Sequence, residues 1–228
     1  LFNAMVKPWT AFPIKGVIWY QGEANVGRSE QYGDLFPALI TDWRRQWRSD
    51  FPFYFVQLAN FMESKKIQPD SEWAALREAQ TKALKLDQVG MAVTIDIGLA
   101  DDIHPKNKQE VGRRLALVAL AGSYGKNVSS SAPVFQNYII KGNKMELDFG
   151  QKQDGFQIKG TTLKGFTIAG PDRVFYPAEA MVHDGKIILS STEVPAPLAA
   201  RYGWADNPDC NLYGENGLPV APFRTDCW

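Results

Sequence analysis

Apolar side chains are grouped in two different ways along the first half of the chain. Three short runs rich in β-branched and aromatic residues, at positions 16–20, 53–58 and 91–95, have the composition of buried β-strands. Between them, residues 29–47 and 72–86 place apolar side chains at helical spacing, and residues 107–121 repeat this pattern after the third run. The pattern predicts three strands, each followed by a helix.

The first of these helices has the clearest stripe. Within 29–47 an apolar residue recurs at every fourth position, which predicts an amphipathic helix with Ser29 as its N-cap. The stripe consists of Leu35, Leu39, Trp43 and Trp47. Strands that alternate with helices in this way predict a parallel α/β sheet with right-handed crossovers, and ligands of such sheets bind at the carboxyl ends of the strands.

The pattern changes near Gly122, after which helical spacing disappears. Short alternating segments follow, separated by Gly-Asn and Asp-Gly pairs such as Asp154-Gly155 that are typical of hairpin turns. The segments lie at 144–149, 155–159, 166–169, 178–182 and 186–190. We therefore predict two domains, an α/β domain at 1–126 and an all-β sandwich or jelly roll at 127–228.

Charge and cysteine content exclude several classes of function. The chain has 25 basic and 25 acidic residues, so no net field favours nucleic acid or an anionic membrane, and its apolar runs are too short to span a bilayer. Cys210 and Cys227 allow either one disulfide or two free thiols. With only two histidines and no His/Cys cluster, we expect no metal site and no cofactor.

Two polar blocks follow predicted strands. The first contains Gln21, Gly22, Glu23 and Asn25, whose carboxamides could donate hydrogen bonds to a developing oxyanion; a polar turn is an equally good interpretation. In the second block, Asp101 and Asp102 precede His104 by three and two residues, so either carboxylate could orient an imidazole that acts as a base. The alternative is a helix cap beside a solvated histidine.

Several other polar and aromatic residues have a simpler interpretation. His183, beside an Asp-Gly turn, is predicted to be an exposed hairpin residue, and Trp73 to be part of the core. Arg77 could face the site or belong to a solvated helix face. The polar and aromatic residues of 201–211 could contact a sugar, although core packing and turn formation explain them as well.

Six segments in order along the chain resemble the sialate O-acetylesterase family of SGNH/GDSL hydrolases. They are WYQGEAN, YGDLFPALITDWRRQW, FPFYFVQLANF, WAALREAQ, DIHPKNKQEVGRRLA and the closing RYGWADNP to PFRTD. The resemblance implies a flavodoxin-like three-layer hydrolase domain, incomplete at its N-terminus, followed by a β-domain. It also implies that His104 is the catalytic base, that Asp101 orients it, with Asp102 as the alternative, and that residues 21–23 lie on the oxyanion side.

The chain departs from the family pattern at two points. Ala24 stands where serine is common after QGE, and the Gly-Gln-Ser-Asn type block that carries the nucleophile is absent. We therefore expect the serine to lie upstream, in the same or a separate polypeptide, and the isolated chain to be inactive.

The resemblance implies an extracellular or periplasmic carbohydrate O-acetylesterase. Its expected substrates are O-acetylated sialic acids, with acetylated polysaccharides such as xylan as the alternative. Two hypotheses assign the chain a function other than catalysis. It could be a carbohydrate-binding module on a degenerate hydrolase fold, or a purely structural partner of another chain.

Overall fold

The computed structural model describes residues 2–150 and 155–228. Leu1 and the first residue of the predicted Asp154-Gly155 turn lie outside the described residues. The described chain begins with two short helical turns, Phe2–Val6 and Lys7–Ala11, and then enters a mixed α/β arrangement with one parallel sheet and several antiparallel ones.

Strands and helices alternate in the first half, as the sequence predicts. In chain order they are β1 (Val17–Trp19), α1 (Ser29–Trp47), β2 (Phe53–Val56), α2 (Glu72–Thr81), β3 (Val89–Ala92) and α3 (Lys108–Gly122). The strands form one parallel sheet in the order β1-β2-β3, with Ile18 opposite Tyr54 and Tyr54 opposite Gly90. Short 3-10 turns at Glu23–Asn25 and Lys82–Lys85 complete this part.

Helices cover both faces of the sheet because the side chains of β2 alternate between them. Phe53 and Phe55 pack in one cluster with buried residues of α1 and α2. Tyr54 and Val56 point the other way and pack against α3. All four β2 residues are buried, as expected for the central strand.

Strand β1 is a correction to the prediction of three buried strands. It lies at the edge of the sheet, and α3 packs against β2 and β3 rather than against β1. Ile18, which points toward the α3 side, is consequently 70% exposed. The composition of a strand indicates that its side chains can be buried, but it does not indicate whether a helix covers each of its faces.

Helix α1 has the predicted bounds, and three of the four residues of the predicted stripe, Leu39, Trp43 and Trp47, pack against the core cluster. Its buried residues are Tyr32, Gly33, Phe36 and Ile40, whereas Leu35 is 55% exposed. Ser29 is the first helical residue rather than the cap, which is Arg28 and makes no side-chain cap bond. The most buried line of the helix is thus rotated slightly from the predicted stripe, and apolar spacing alone resolves neither this rotation nor the exact first residue.

Within the described part of the chain, ten antiparallel strands follow α3. They are β4 (Asn137–Lys141), β5 (Lys144–Asp148), β6 (Phe156–Ile158), β7 (Phe166–Ala169), β8 (Phe175–Pro177), β9 (Glu179–His183), β10 (Lys186–Ser190), β11 (Ala199–Tyr202), β12 (Leu212–Gly214) and β13 (Phe223–Arg224). They form sheets in the orders β4-β5-β10-β9, β13-β11-β7-β8 and β12-β6. We call residues 137–224 the β-module.

The β-module has its own core, to which β5, β7, β10 and β11 contribute alternating side chains, including Met145, Leu147, Ile187 and Leu189. Cys210 and Cys227 are both free thiols, so the disulfide alternative is wrong. Among the described residues, no helix combines the length and the apolar character that a bilayer crossing requires.

Candidate active site

The first polar block lies at the carboxyl end of β1 and is held together by its own side chains. Gln21 Nε2 donates to Asn25 Oδ1 at 2.7 Å, and the Tyr32 hydroxyl lies 3.3 Å from both oxygens of Gln21, the backbone O and Oε1. The backbone N–H of Asn25 donates to the carbonyl of Gly22 at 2.8 Å. The carboxamide of Gln21 is therefore fixed rather than free to rotate.

Gly22 and Gln80 fix the backbone of the same block. Gly22 is buried with a φ of 151°, and an added Cβ would lie 3.3 Å from Gln80 Nε2. Only glycine adopts this conformation without strain. Gln80 Nε2 donates to the carbonyls of Gln21 and Val56, both at 3.3 Å, while its Oε1 accepts from the N–H of Leu58 at 2.9 Å. Gln80 thus joins the block to the end of β2.

Tyr20 links the first block to the start of α3. Lys108 Nζ lies 5.1 Å from the centroid of the Tyr20 ring, within the range of a cation–π contact. Burial, and then the nearby Glu23 carboxylate, raise the pKa of Tyr20 to about 12. The hydroxyl is therefore protonated at neutral pH.

The second block lies in the loop that joins β3 to α3. Asp102 Oδ1 accepts the backbone N–H of His104 at 2.9 Å and lies 3.6 Å from His104 Nδ1. Asp101 is exposed in the same loop. The His104 side chain is 83% exposed, so its imidazole is open to a ligand. Asn107, whose side chain accepts the N–H of Glu110 at 3.1 Å, caps α3 directly after this loop.

The two blocks occupy the same edge of the sheet. Strands β1, β2 and β3 are parallel neighbours, so the segments that follow them emerge at a common edge. The contact between Lys108 and Tyr20 joins the two blocks there. Ile103, next to His104, also packs against the same apolar cluster as Tyr20. Glutamine and histidine side chains are thus presented where ligands of α/β sheets bind.

Both interpretations of Arg77 from the sequence are wrong, because the structure places it neither on a solvated helix face nor at an open site. Its side chain is fully buried at 0% exposure. It donates to the carbonyls of Leu58 at 2.9 Å and Ala59 at 3.0 Å at the end of β2, and to those of Ala205 and Asp206 in the β-module, both at 2.7 Å. Arg77 therefore joins the two halves of the chain and has no surface for a substrate.

A charged cluster beside the second block was not identified from the sequence. Arg114 donates to both carboxylate oxygens of Asp96, at 2.6 and 2.9 Å, and to Glu110 at 2.8 Å. Hydrogen bonds from Arg113, and further ones from Arg114, lower the pKa of Glu110 to about 2. The four-residue spacing of Glu110 and Arg114 on a helix was the available signal; nothing in the sequence pointed to Asp96.

The remaining predicted residues are structural in this fold. His183 is an exposed residue at the end of β9, with a side chain 66% exposed, and Trp73 is buried, both as predicted. Tyr202 is core, and Arg201 is paired with Asp226 at 2.7 Å. The Asn211 carboxamide bonds only backbone groups, those of residues 159, 162 and 164. Core packing and turn formation thus account for most of the segment 201–211.

A cavity of about 400 Å³ lies elsewhere, between the segment 64–68 and the β-module. Neither polar block contributes to its lining, which includes Lys65, Lys164 and Trp204. The two polar blocks are therefore the better candidate for chemistry, since they combine a possible base with oriented amide donors. Among the described residues, no group of three His, Cys, Asp or Glu side chains is arranged to hold a metal ion.

Comparison with known proteins identifies the family of the chain. A family described as "Carbohydrate esterase, sialic acid-specific acetylesterase" matches residues 1–121, which include both polar blocks. The chain belongs to this family. The membership confirms the resemblance recognised in the sequence.

Several known esterases match nearly the whole chain. Sialate O-acetylesterases of mouse and human are each 32% identical over 253 residues, covering 98% of this chain but 46% and 48% of their own lengths. A crystal structure of a carbohydrate acetylesterase from Xanthomonas citri superimposes with a TM-score of 0.94 at 46% identity, covering all of this chain and 54% of that one. The chain thus spans about half the length of these relatives.

Proposed function

We propose that this chain is part of a carbohydrate O-acetylesterase in which His104 is the catalytic base. The observation that carries the proposal is the common sheet edge: in a chain of the esterase family, the Gln21 block and the His104 loop follow parallel strands of one sheet. Asp101 or Asp102 orients the imidazole. Asp102 is the closer of the two, because its carboxylate bonds the His104 backbone and lies 3.6 Å from Nδ1.

The proposed reaction is acyl transfer through a serine supplied upstream of this chain. His104 takes the proton of the serine hydroxyl as the oxygen attacks the acetyl carbonyl, and gives that proton to the departing sugar hydroxyl. Water then hydrolyses the acetyl-enzyme with the roles reversed. The carboxamides of Gln21 and Asn25, together with the backbone N–H groups of Gly22 and Glu23, stabilise the oxyanion.

The same proposal assigns the two halves of the chain different parts. Residues 1–126 are the C-terminal portion of a flavodoxin-like hydrolase domain, and residues 127–228 form a β-sandwich domain of the jelly-roll type. The nucleophilic segment belongs beside β1, whose open side leaves Ile18 exposed. By the same reasoning the chain alone is inactive, and the complete enzyme works in an extracellular or periplasmic space.

Two substrate classes are compatible with this site. The family description and the curated relatives favour O-acetylated sialic acids. The Xanthomonas citri structure is described only as a carbohydrate acetylesterase, which is compatible with an acetylated polysaccharide as the alternative. Comparing kcat/KM of the complete enzyme on a 9-O-acetylated sialic acid and on acetylated xylo-oligosaccharides distinguishes them.

The experiment that tests the base compares the two histidines of the chain. In the protein that includes the upstream segment, His104→Ala should lower kcat for p-nitrophenyl acetate by about 1,000-fold, within the range for loss of a general base. His183→Ala is the matched control, since His183 is exposed on β9, and should leave kcat unchanged. Asp101→Asn and Asp102→Asn then identify the orienting acid as the variant with the larger loss.

Unchanged turnover in His104→Ala would refute the base assignment. Esterase activity of the present chain without an upstream segment would instead show that a nucleophile lies within it. Sugar affinity without any turnover in the complete protein would favour the carbohydrate-binding module.

A further inference from the structure

Two side chains of the β-module hold the segment that leads from β3 to His104. Tyr213 Oη donates to Asp96 Oδ2 at 3.2 Å. Asn207 Oδ1 accepts from Asn60 Nδ2 at 2.7 Å, and Asn60 Oδ1 accepts the N–H of Gly98 at 2.7 Å. We propose that Tyr213 and Asn207 are positioning residues that fix the His104 loop, so that the β-module takes part in catalysis. This inference rests on the proposed function of His104.

The contact of Tyr213 completes a cage around the Asp96 carboxylate. Arg114 donates to both oxygens of this carboxylate and, at 2.7 Å, to the carbonyl of Val93 in the same segment. Arg114 therefore fixes Asp96 against α3, and Tyr213 fixes it against the β-module. Burial, and then the Asp96 charge, raise the pKa of the Tyr213 hydroxyl, so it is a donor throughout the neutral range.

The contact of Asn207 acts through a second segment. Asn207 Nδ2 donates to the carbonyl of Met62 at 2.7 Å, in addition to its bond with Asn60. The segment 60–62 in turn lies against the loop, because Phe61 and Leu99 form a parallel β-bridge. Asn207 thus fixes the segment 60–62, which carries the acceptor for Gly98.

The anchors matter because His104 has little support of its own. Its side chain is 83% exposed, and its nearest charged partner, Asp102, is in the same loop. The position of the imidazole is therefore set by Ile103, which packs against the apolar cluster beside it, and by the two ends of the loop, at residues 96–99 and at Asn107. A displacement of about 1 Å in a reacting group can cost about 100-fold in rate, so loosening one end should affect turnover.

The first test measures the loop itself and does not depend on catalysis. Amide hydrogen exchange is followed in two variants. Tyr213→Phe removes one hydroxyl, and Asn207→Ser replaces the carboxamide with a shorter hydroxyl side chain. Exchange across residues 97–104 should be roughly three- to tenfold faster in each variant, the factor that loss of one hydrogen bond implies. Tyr138→Phe, in the partly exposed strand β4, is the control and should leave this loop unchanged.

The second test measures turnover in the protein that includes the upstream segment. Tyr213→Phe should lower kcat for p-nitrophenyl acetate about tenfold with KM unchanged, because the ester still binds while the base is less often aligned. Tyr138→Phe should change neither kcat nor KM.

Each outcome decides the inference. Unchanged loop exchange in both variants overturns it, and so does faster exchange with kcat unchanged in an enzyme that His104→Ala inactivates. If His104→Ala remains active, the proposed function of His104 is wrong, and with it the catalytic part of this inference. The exchange data then still show whether the β-module fixes the loop.

Discussion

Position 98 shows how closely two segments of the candidate site approach each other. A Cβ built on Gly98 would lie 1.8 Å from the backbone oxygen of Asn60, a distance that no side-chain movement can relieve. Its N–H donates to the Asn60 side chain, so the contact is attractive only while position 98 has no side chain. The identity of this residue is therefore dictated by a neighbour 38 positions away.

Gly98→Ala should consequently lower the free energy of unfolding by about 3 kcal/mol, as expected when backbone must move to relieve a clash. Gly112→Ala is the matched control. Position 112 lies inside α3 with nothing within 4 Å of the added Cβ, so alanine should stabilise the protein by about 1 kcal/mol through helix propensity. Urea unfolding of both variants measures the pair, and equal effects would contradict the clash.

Prediction from the sequence at the residue scale reached local contacts, while the catalytic roles of His104, Asp101 and Asp102 stay predictions. His104 and Asp102 are two positions apart, and their contact follows from that spacing. It failed for Arg77, whose acceptors in the β-module lie 128 and 129 positions away. A long cationic side chain on a helix is predicted to be solvated unless its hydrogen-bond acceptors are known. The acceptors of Arg77 are backbone carbonyls, and every residue has one, so the sequence does not identify them.

At the scale of elements, helix α3 is best understood from its first turn. Asn107 caps the helix, and Glu110 accepts from Arg113 at 2.7 Å and from Arg114 at 2.8 Å. An acidic residue in this turn also interacts favourably with the helix dipole. The turn directly follows the His104 loop, so its stability defines one end of that loop.

The ion pairs of this turn predict a dependence of stability on pH. The pKa of Glu110 is about 2 in the folded protein against 4.5 for an unperturbed glutamate, chiefly because Arg113 bonds its ionised form. The stabilisation is therefore complete above about pH 4.5 and is lost as the pH falls toward 2. Glu110→Gln should be about 1 kcal/mol less stable at pH 7, a modest figure because the pair is partly exposed.

Urea unfolding at pH 7 and at pH 3 checks this dependence. The gap between the wild type and Glu110→Gln should narrow at the lower pH, and a gap of equal size at both would contradict the assignment. Glu215→Gln, in an exposed turn, is the control and should show no gap at either pH.

The existence and order of the elements in the first half were predictable, because strands and helices repeat at regular intervals. Helix α1 was even predicted with its observed bounds, and three of its four stripe residues, Leu39, Trp43 and Trp47, pack in the core, whereas Leu35 is exposed. Five strands of the β-module escaped prediction. They are β4, β8, β11, β12 and β13, several of them only two to four residues long, where alternation has no room to show.

For the whole molecule, the notable feature is how many polar contacts join the parallel sheet layer to the β-module. Arg224 pairs with Glu78 through two bonds of 2.8 Å, and the Ser71 hydroxyl, which also caps α2, donates to Asp206 at 2.6 Å. Arg77 adds two bonds across the same boundary. The change of pattern near Gly122 marks a change of architecture, but the two parts share buried polar groups.

We therefore expect the chain to unfold in one cooperative transition. A fragment of residues 1–126 would lose the two β-module carbonyls that Arg77 bonds and the β-module partners of Ser71 and Glu78, and polar groups left without hydrogen bonds are destabilising. Scanning calorimetry of the whole chain should show one peak, and the fragment should show no cooperative melting by circular dichroism. Two separate peaks, or a fragment that melts cooperatively, would contradict the coupling.

The contacts of Arg77 also bear on how this boundary tolerates evolutionary change. Every acceptor of its guanidinium is a main-chain carbonyl, a group that any amino acid provides. Substitutions at 58, 59 and 205 therefore leave the bonds available as long as the backbone path is kept, whereas lysine in place of the arginine lacks the five-donor fork. Among homologous sequences, we therefore expect arginine to be kept at position 77 while the residues that supply its acceptor carbonyls vary.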